Sequence, residues 1–376
     1  MIIRKSSNIF NQLAEVIMSK RVSSQDTRPT LSAQMRQALM RILTGTVFLD
    51  IQGRALDDET LWDILLYASV NGITIERACN ELDAVPPGNT VRDALDASGF
   101  GVCALEDQLN AALQAQLPAS VVRRRKRKGW EVGIDLTDIP YHGEPAQTPE
   151  EICRGAAKSG TTHFHSYATL AIVHNQQRYE VALTFVWADE SMDQVVDRLL
   201  DQARQMGLRL RRAYLDKGFA RREVYALLRQ RRLPYLIPIP VKGKSGGIRR
   251  YSKGRYGRHG SEWFVYAAYG MDRVPLPQIF ELYRRRFGME SGYRQLHQVR
   301  ARTTSPKPTW RLLLVGLGLL LYNVYIFFRR DGQTTRTYGK RRRRLRLSLG
   351  HMKRMIQRFL EKKFGFVELD PLPVPG

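Results

Sequence analysis

Cysteine is scarce: Cys79, Cys103 and Cys153 are the only three in 376 residues. No two of them form a C-x-x-C pair, which excludes a disulfide framework and a cysteine zinc site and fits a reducing compartment. Acid is also short, with 36 Asp and Glu against 60 Lys and Arg, a net charge of +24. A field of that sign attracts polyanions, nucleic acid first and an anionic membrane surface second. The opening "MIIRKSSNIFNQLAEVIM" lacks the apolar core and small-residue cleavage site of a signal peptide. No internal repeat is visible. Only one long uncharged apolar run exists, the 17 residues "LLLVGLGLLLYNVYIFF" from Leu312 to Phe328. That length is at the lower limit for spanning a bilayer. Arg311 precedes the run and Arg329 and Arg330 follow it, so positive-inside asymmetry is missing. The run reads as a helix buried inside a larger domain, with no membrane as partner.

What is present divides into segments, and the length suggests about two or three domains. Residues 1–27 are polar with weak periodicity and read as a mobile arm. Residues 28–120 carry helical spacing: "LSAQMRQALMRIL" with a serine N-cap candidate, "DETLWDILLYASV" after an acidic first turn, "TIERACNEL" and "VRDALDAS". Short helices between Gly-containing turns are compatible with a helix-turn-helix DNA-binding domain and with a purely structural helical domain. The run "RRRKRK" (Arg123 to Lys128) then separates this half from a strand-rich one.

In "WEVGIDLT", Trp130, Val132, Ile134 and Leu136 alternate with Gly133, Asp135 and Thr137, a strand pattern. "FHSYATLAIVHN" and "QRYEVALTFVWA" read as a hairpin joined at "NQQ". "SMDQVVDRLLDQARQMG" is an amphipathic helix, "LRLRRAYLD" a strand, "ARREVYALLRQRR" a helix and "PYLIPIP" a strand. The order predicts an α/β fold, a mixed sheet with helices on its faces. Residues 241–260 read as a basic loop or insertion. "SEWFVYAAYG" adds a strand, and "PLPQIFELYRRRFGMESGYRQL" a long helix with Pro near its start. Residues 331–376 read as a basic tail.

Three acids sit where an acid is least expected. Asp135 lies on the less apolar face of the first strand, and Asp216 ends a later strand just before "KGF". Glu290 lies in the arginine-rich "YRRRFGMESGYRQ", residues 283–295. Ligand sites of open α/β sheets gather beyond the carboxyl ends of strands. Converging carboxylates suit hard divalent cations. Glu290 has two readings: a salt-bridge partner for arginine, or a metal ligand facing a polyanion. Asp138 has the opposite parity to Asp135 and reads as a turn residue. His163 and His165 form H-x-H on one strand face, which suits a plain strand role or a DNA contact better than a metal site. Tyr141, His142 and Gly143 read as a turn.

These residues resemble the DDE transposases of bacterial and archaeal insertion sequences, over roughly Gly129 to Arg330. One branch of that family carries its third acid in Y-x2-R-x3-E-x6-K. Tyr283, Arg286 and Glu290 match that signature, with His297 at the lysine position. At 3.6 residues per turn the four fall at about 0, −60, −20 and −40 degrees, one stripe of a helix. The contexts "GIDLTDIPYHG" and "AYLDKGF" are also similar to that branch. The resemblance implies an RNase H-like catalytic domain over 129–330. It implies Asp135, Asp216 and Glu290 as catalytic ligands of two Mg²⁺ ions, with Mn²⁺ able to substitute. It further implies cleavage at element ends and strand transfer. Tyr283, Arg286, Arg294, His297 and Lys217 would hold double-stranded DNA, both terminal inverted repeats and target. A homodimer on DNA and a prokaryotic cytoplasmic location complete the expectation. A catalytically inactive DNA-binding descendant and a membrane-associated basic protein are the alternatives.

Overall fold

The computed structural model describes residues 29–49, 56–99, 101–117, 129–144, 149–174, 177–239, 265–275, 277–283, 296–330, 334–338, 341–345 and 347–368. Among the described residues, in chain order, five helices come first: α1 (Leu31–Thr46), α2 (Asp58–Asn71), α3 (Ile75–Glu81), α4 (Gly88–Ala97) and α5 (Val102–Ala115). Strands β1 (Trp130–Pro140), β2 (Cys153–Lys158), β3 (Thr161–His174) and β4 (Gln177–Val186) follow. Then come α6 (Met192–Gln205), β5 (Leu210–Leu215), α7 (Arg222–Gln230), β6 (Tyr235–Pro238) and β7 (Tyr266–Tyr269). The chain closes with α8 (Pro308–Arg330), β8 (Thr334–Tyr338), β9 (Arg341–Leu345) and α9 (Leu349–Phe364). It divides into two compact units: residues 1–122 with 292–376, and residues 123–291.

The first unit is mostly helical. Thr30, rather than a serine, caps α1, its side chain accepting from the Ala33 N–H. Asp57 caps α2 in the same way through Thr60, and Gly72 ends that helix in the left-handed region at φ 66°. Leu312 to Phe328 form most of α8, the one described helix long and apolar enough to cross a membrane, and it is wholly buried within the protein. Two contacts explain its sequence. A Cβ on Gly316 would meet Leu109 Cδ1 of α5 at 2.5 Å, so the helices touch where the side chain is missing. Gln116 donates from Nε2 to the Leu320 carbonyl at 3.0 Å, a buried polar tie between the same two segments.

The stretch read as a basic tail is structured. Ser348 caps α9 through the His351 N–H. Its stripe of Met352, Ile356, Leu360 and Phe364 is buried, packed with α1 and α2. Lys363 reaches Asp63 of α2 at 2.8 Å, and Asp63 also takes both Nε and Nη2 of Arg36 at 2.7 Å. The apolar helix and this segment belong to the helical unit, so residues 292–330, expected within the catalytic domain, are grouped apart from the sheet. The β8–β9 hairpin was not foreseen.

The second unit is a seven-stranded mixed sheet in the order β4–β3–β1–β5–β6–β7, with β2 pairing β3 beyond β4. β1 is antiparallel to β3 and parallel to β5, and β5 is parallel to β6. Three antiparallel strands followed by two parallel ones give the expected RNase H-like core, with β7 added antiparallel to β6. The parallel pair β5 and β6 is joined through α7, as a parallel connection requires.

Register fixes what each face carries. Ile134, Leu215, Ala168 and Thr184 share one face. Helices α6 and α7 cover it: Arg198 of α6 donates to Thr184 Oγ1 at 2.5 Å, and Tyr225 of α7 stacks on Tyr235 at 5.9 Å. Gly133, Asp135, Thr137 and Ile139 lie on the opposite face with Thr169, Glu180, Tyr214 and Leu236. One reading needs correcting. β1 runs to Pro140, so Asp138 is a strand residue, its Oδ1 accepting from Ser166 Oγ at 2.7 Å. Residues 153–158, which lack strand-like alternation, form β2 by pairing with the start of β3.

Candidate active site

Asp135 and Asp216 are brought together by strand register. Ile134 of β1 lies beside Leu215 of the parallel β5, and the two aspartates are the next residue on each strand. Adjacent strands lie about 4.8 Å apart, so two carboxylates on one face at this level can share a ligand. Asp135 is 7% exposed within β1, a central strand of the sheet. The Leu136 N–H donates to its Oδ1 at 3.0 Å. Asp216 is half-buried where β5 ends, and it starts the single turn Lys217–Phe219, its carbonyl accepting from the Phe219 N–H at 3.0 Å. Lys217, immediately after it, is exposed.

Glu290, Arg286 and Arg294 lie outside the described residues, and so does the stripe expected to align them. Among the described residues no group of three or more His, Cys, Asp and Glu side chains forms a metal cluster. The described donor set is one carboxylate in the middle of β1 and one just beyond the end of the neighbouring β5. Hard oxygen donors of that kind fit a divalent cation.

Tyr283 departs from its expected role as a DNA contact. Its side chain is 4% exposed and packs with Tyr214, Leu236 and Met271. Its ring lies 5.0 Å from that of Tyr266. Tyr214 stands beside Gly133 and Leu236 beside Tyr214, so Tyr283 rests on the sheet face that bears the aspartates. An aromatic ring buried among apolar neighbours packs; it does not reach a phosphate. Tyr283 therefore packs on the sheet face that bears the aspartates. His297 is exposed and belongs to the helical unit.

The H-x-H pair serves the strand. His165 is fully buried and stands edge-on to Tyr141 at 5.0 Å, and His163 is half-buried. Tyr141 is itself buried, and Gly143 lies so close over its ring that no Cβ would fit. These residues follow β1 outside any strand or helix, with the tyrosine turned into the core.

Sequence reasoning passed over the buried pair Arg178 and Glu180, which joins Thr169 on the aspartate face. The signal was available in "QRYEVALTF": two charges at i and i+2 of an otherwise apolar strand share a face.

A family model described as the transposase DDE domain matches residues 126–323. Among solved structures, the cryo-EM structure of a piggyBac transposase synaptic complex with hairpin DNA is similar to this chain, with a TM-score of 0.48 and 11% identity. That match covers 99% of this chain and 87% of the other. No curated protein matches the chain.

Proposed function

The chain belongs to the transposase DDE-domain family, whose model spans more than half of it, and from that premise we propose that it cuts DNA at the ends of an insertion sequence and joins those ends to target DNA. The observation that carries this reading is that Asp135 and Asp216 directly follow the register pair Ile134 and Leu215 of the adjacent parallel strands β1 and β5, on the face where Tyr283 packs.

In the proposed reaction Asp135, Asp216 and Glu290 would hold two Mg²⁺ ions. Bound there, divalent cations supply charge neutralisation at the phosphodiester and activation of the attacking hydroxyl. Asp135 contributes a carboxylate fixed within a strand paired on both sides. Asp216 contributes one at a strand end, beside the DNA-facing Lys217. Arg286, Arg294 and His297 hold phosphates, and the net charge of +24 draws the duplex to the surface. Water first cleaves the strand at the element's end. The freed 3′-hydroxyl then attacks a target phosphodiester, with no covalent protein intermediate. Two ends must meet, so the chain acts as a homodimer on DNA.

The test begins with the DNA flanking the coding region. Inverted repeats there, bounded by a short target duplication, supply the substrate. The purified chain with Mg²⁺ is expected to nick that substrate at the repeat boundary and to join it to a plasmid. Binding to the repeats with neither cleavage nor joining would favour a DNA-binding protein without the reaction.

A further inference from the structure

Arg178 and Glu180 are buried charges in the sheet that the proposed reaction does not use. They are 3% and 2% exposed. Arg178 Nε lies 2.6 Å from Glu180 Oε1, and Nη2 donates to Oε2 at 3.2 Å. The same Nη2 donates to Thr169 Oγ1 at 3.3 Å, and the Thr169 hydroxyl bonds in turn to Glu180. Thr169 is 1% exposed.

Register puts this group next to the site. Thr169 of β3 is the direct cross-strand partner of Asp135, and Glu180 of β4 is opposite Ala171, two residues along β3 from Thr169. Asp135 and Thr169 are therefore direct cross-strand partners, and Glu180 lies diagonal to Thr169 on the same face. Direct cross-strand partners have Cβ atoms about 4.5–5.5 Å apart, within side-chain contact. A buried ion pair is a poor stabiliser, because desolvation offsets its attraction, and apolar replacements of similar volume are often neutral or better. What such a pair can do well is fix geometry. Here it grips the hydroxyl of a β-branched residue whose χ1 is already restricted.

We propose that Thr169, locked by the Arg178–Glu180 pair, is a positioning residue that sets the Asp135 carboxylate for cation binding. The inference rests on Asp135 being a cation ligand. A residue that only fills the core would affect stability and leave cation affinity and turnover alone.

Three variants of the full chain separate these roles: Thr169→Val, which keeps shape and loses the hydroxyl; Thr169→Ser, which keeps the hydroxyl; and the double replacement Arg178→Met with Glu180→Leu. Each is measured for MnCl₂ binding by calorimetry, for kcat and KM of end cleavage, and for thermal stability. Supporting residues of a cation site typically contribute 10–100-fold in affinity or activity. Thr169→Val and the double variant are expected to lose about tenfold or more in Mn²⁺ affinity and in kcat, with KM for DNA unchanged; Thr169→Val should also lower the melting temperature, since it leaves the buried ion pair without the hydroxyl, and the apolar double replacement less so. Thr169→Ser is expected to restore both. Wild-type Mn²⁺ affinity and kcat in Thr169→Val would overturn the proposal, whether or not the double variant folds. A wild-type chain that neither binds Mn²⁺ nor cleaves would instead overturn the reading of the site, and this proposal with it.

Discussion

Replacing Asp63 with alanine should unfasten the end of the chain from the helical unit. Asp63 is fully buried on α2, where Arg36 of α1 grips it through two nitrogens at 2.7 Å and Lys363 of α9 through one at 2.8 Å. Removing one member of a buried charge cluster costs about 3–5 kcal/mol, because the remaining charges lose their partner without regaining water. Two features set this case at the low end. The side chains of Arg36 and Lys363 keep 14% and 33% exposure, and both also bond Glu59. The expected cost is therefore about 3 kcal/mol, a large part of a domain's total of about 5–15. Glu59 contacts the same two cations but is 58% exposed, so Glu59→Ala should cost about 1 kcal/mol or less. The assay is urea unfolding, followed by far-ultraviolet circular dichroism and by proteolysis at the C-terminal end. Asp63→Ala should lower the transition of the helical unit and expose α9 to protease, with Glu59→Ala close to wild type. Equal, small effects of the two replacements would refute the view that the buried carboxylate holds α9 in place.

Other consequences follow from single contacts. Gly316→Val places a branched side chain against Leu109 and should cost about 1–3 kcal/mol through overpacking. Leu109→Ala in the same chain should recover part of that loss, measured by a double-mutant cycle in urea. Asp57→Ala, which removes the cap of α2, should cost about 1 kcal/mol. The bond from the Thr60 N–H holds the Asp57 carboxyl below its ordinary 3.8. In the cap's pH range the unfolded chain binds the proton more tightly, so the contribution is complete above pH 3.8 and fades as pH falls through the lower folded value, as acid titration of wild type against Asp57→Ala will show. If His297 contacts phosphate as a cation, end-DNA affinity should fall as pH rises past its ordinary value of about 6.5. His297→Lys should flatten that fall, and identical profiles would remove His297 from the DNA contacts.

The elements that announced themselves were those with strong periodicity. β1, β3 and β4 alternate, α6 and α7 are amphipathic, and Asp216 stands before a Gly-containing turn. The order of strands and helices along the chain was thus legible, and the two aspartates stood out as candidates. What escaped depends on long-range pairing. Residues 153–158 are mostly small or charged, and they form β2 only because the start of β3 offers a free edge. Asp138 looked like a turn residue because β1 extends past the apolar stretch, held by pairing on β3. The α9 segment looked like a tail because its basic residues masked a stripe at Met352, Ile356, Leu360 and Phe364. Tyr283 fitted a motif, and motif position says nothing of burial; only its packing on Tyr214 shows the ring facing inward. Arg178 and Glu180 carried a signal in their spacing, but the partner that gives it meaning, Thr169, lies on another strand.

The central claim is that Asp135 and Asp216, with Glu290, form a catalytic carboxylate site, and parallel cleavage assays on end-containing DNA in Mg²⁺ test it most directly. Asp135→Asn, Asp216→Asn and Glu290→Gln are compared with Asp138→Asn, which alters a carboxylate three residues away on the opposite face and bonded to Ser166. The first three should bind DNA as wild type does and cleave no more than a protein-free control, while Asp138→Asn should still cleave. Cleavage at the wild-type rate by a folded Asp135→Asn or Asp216→Asn chain would contradict the account.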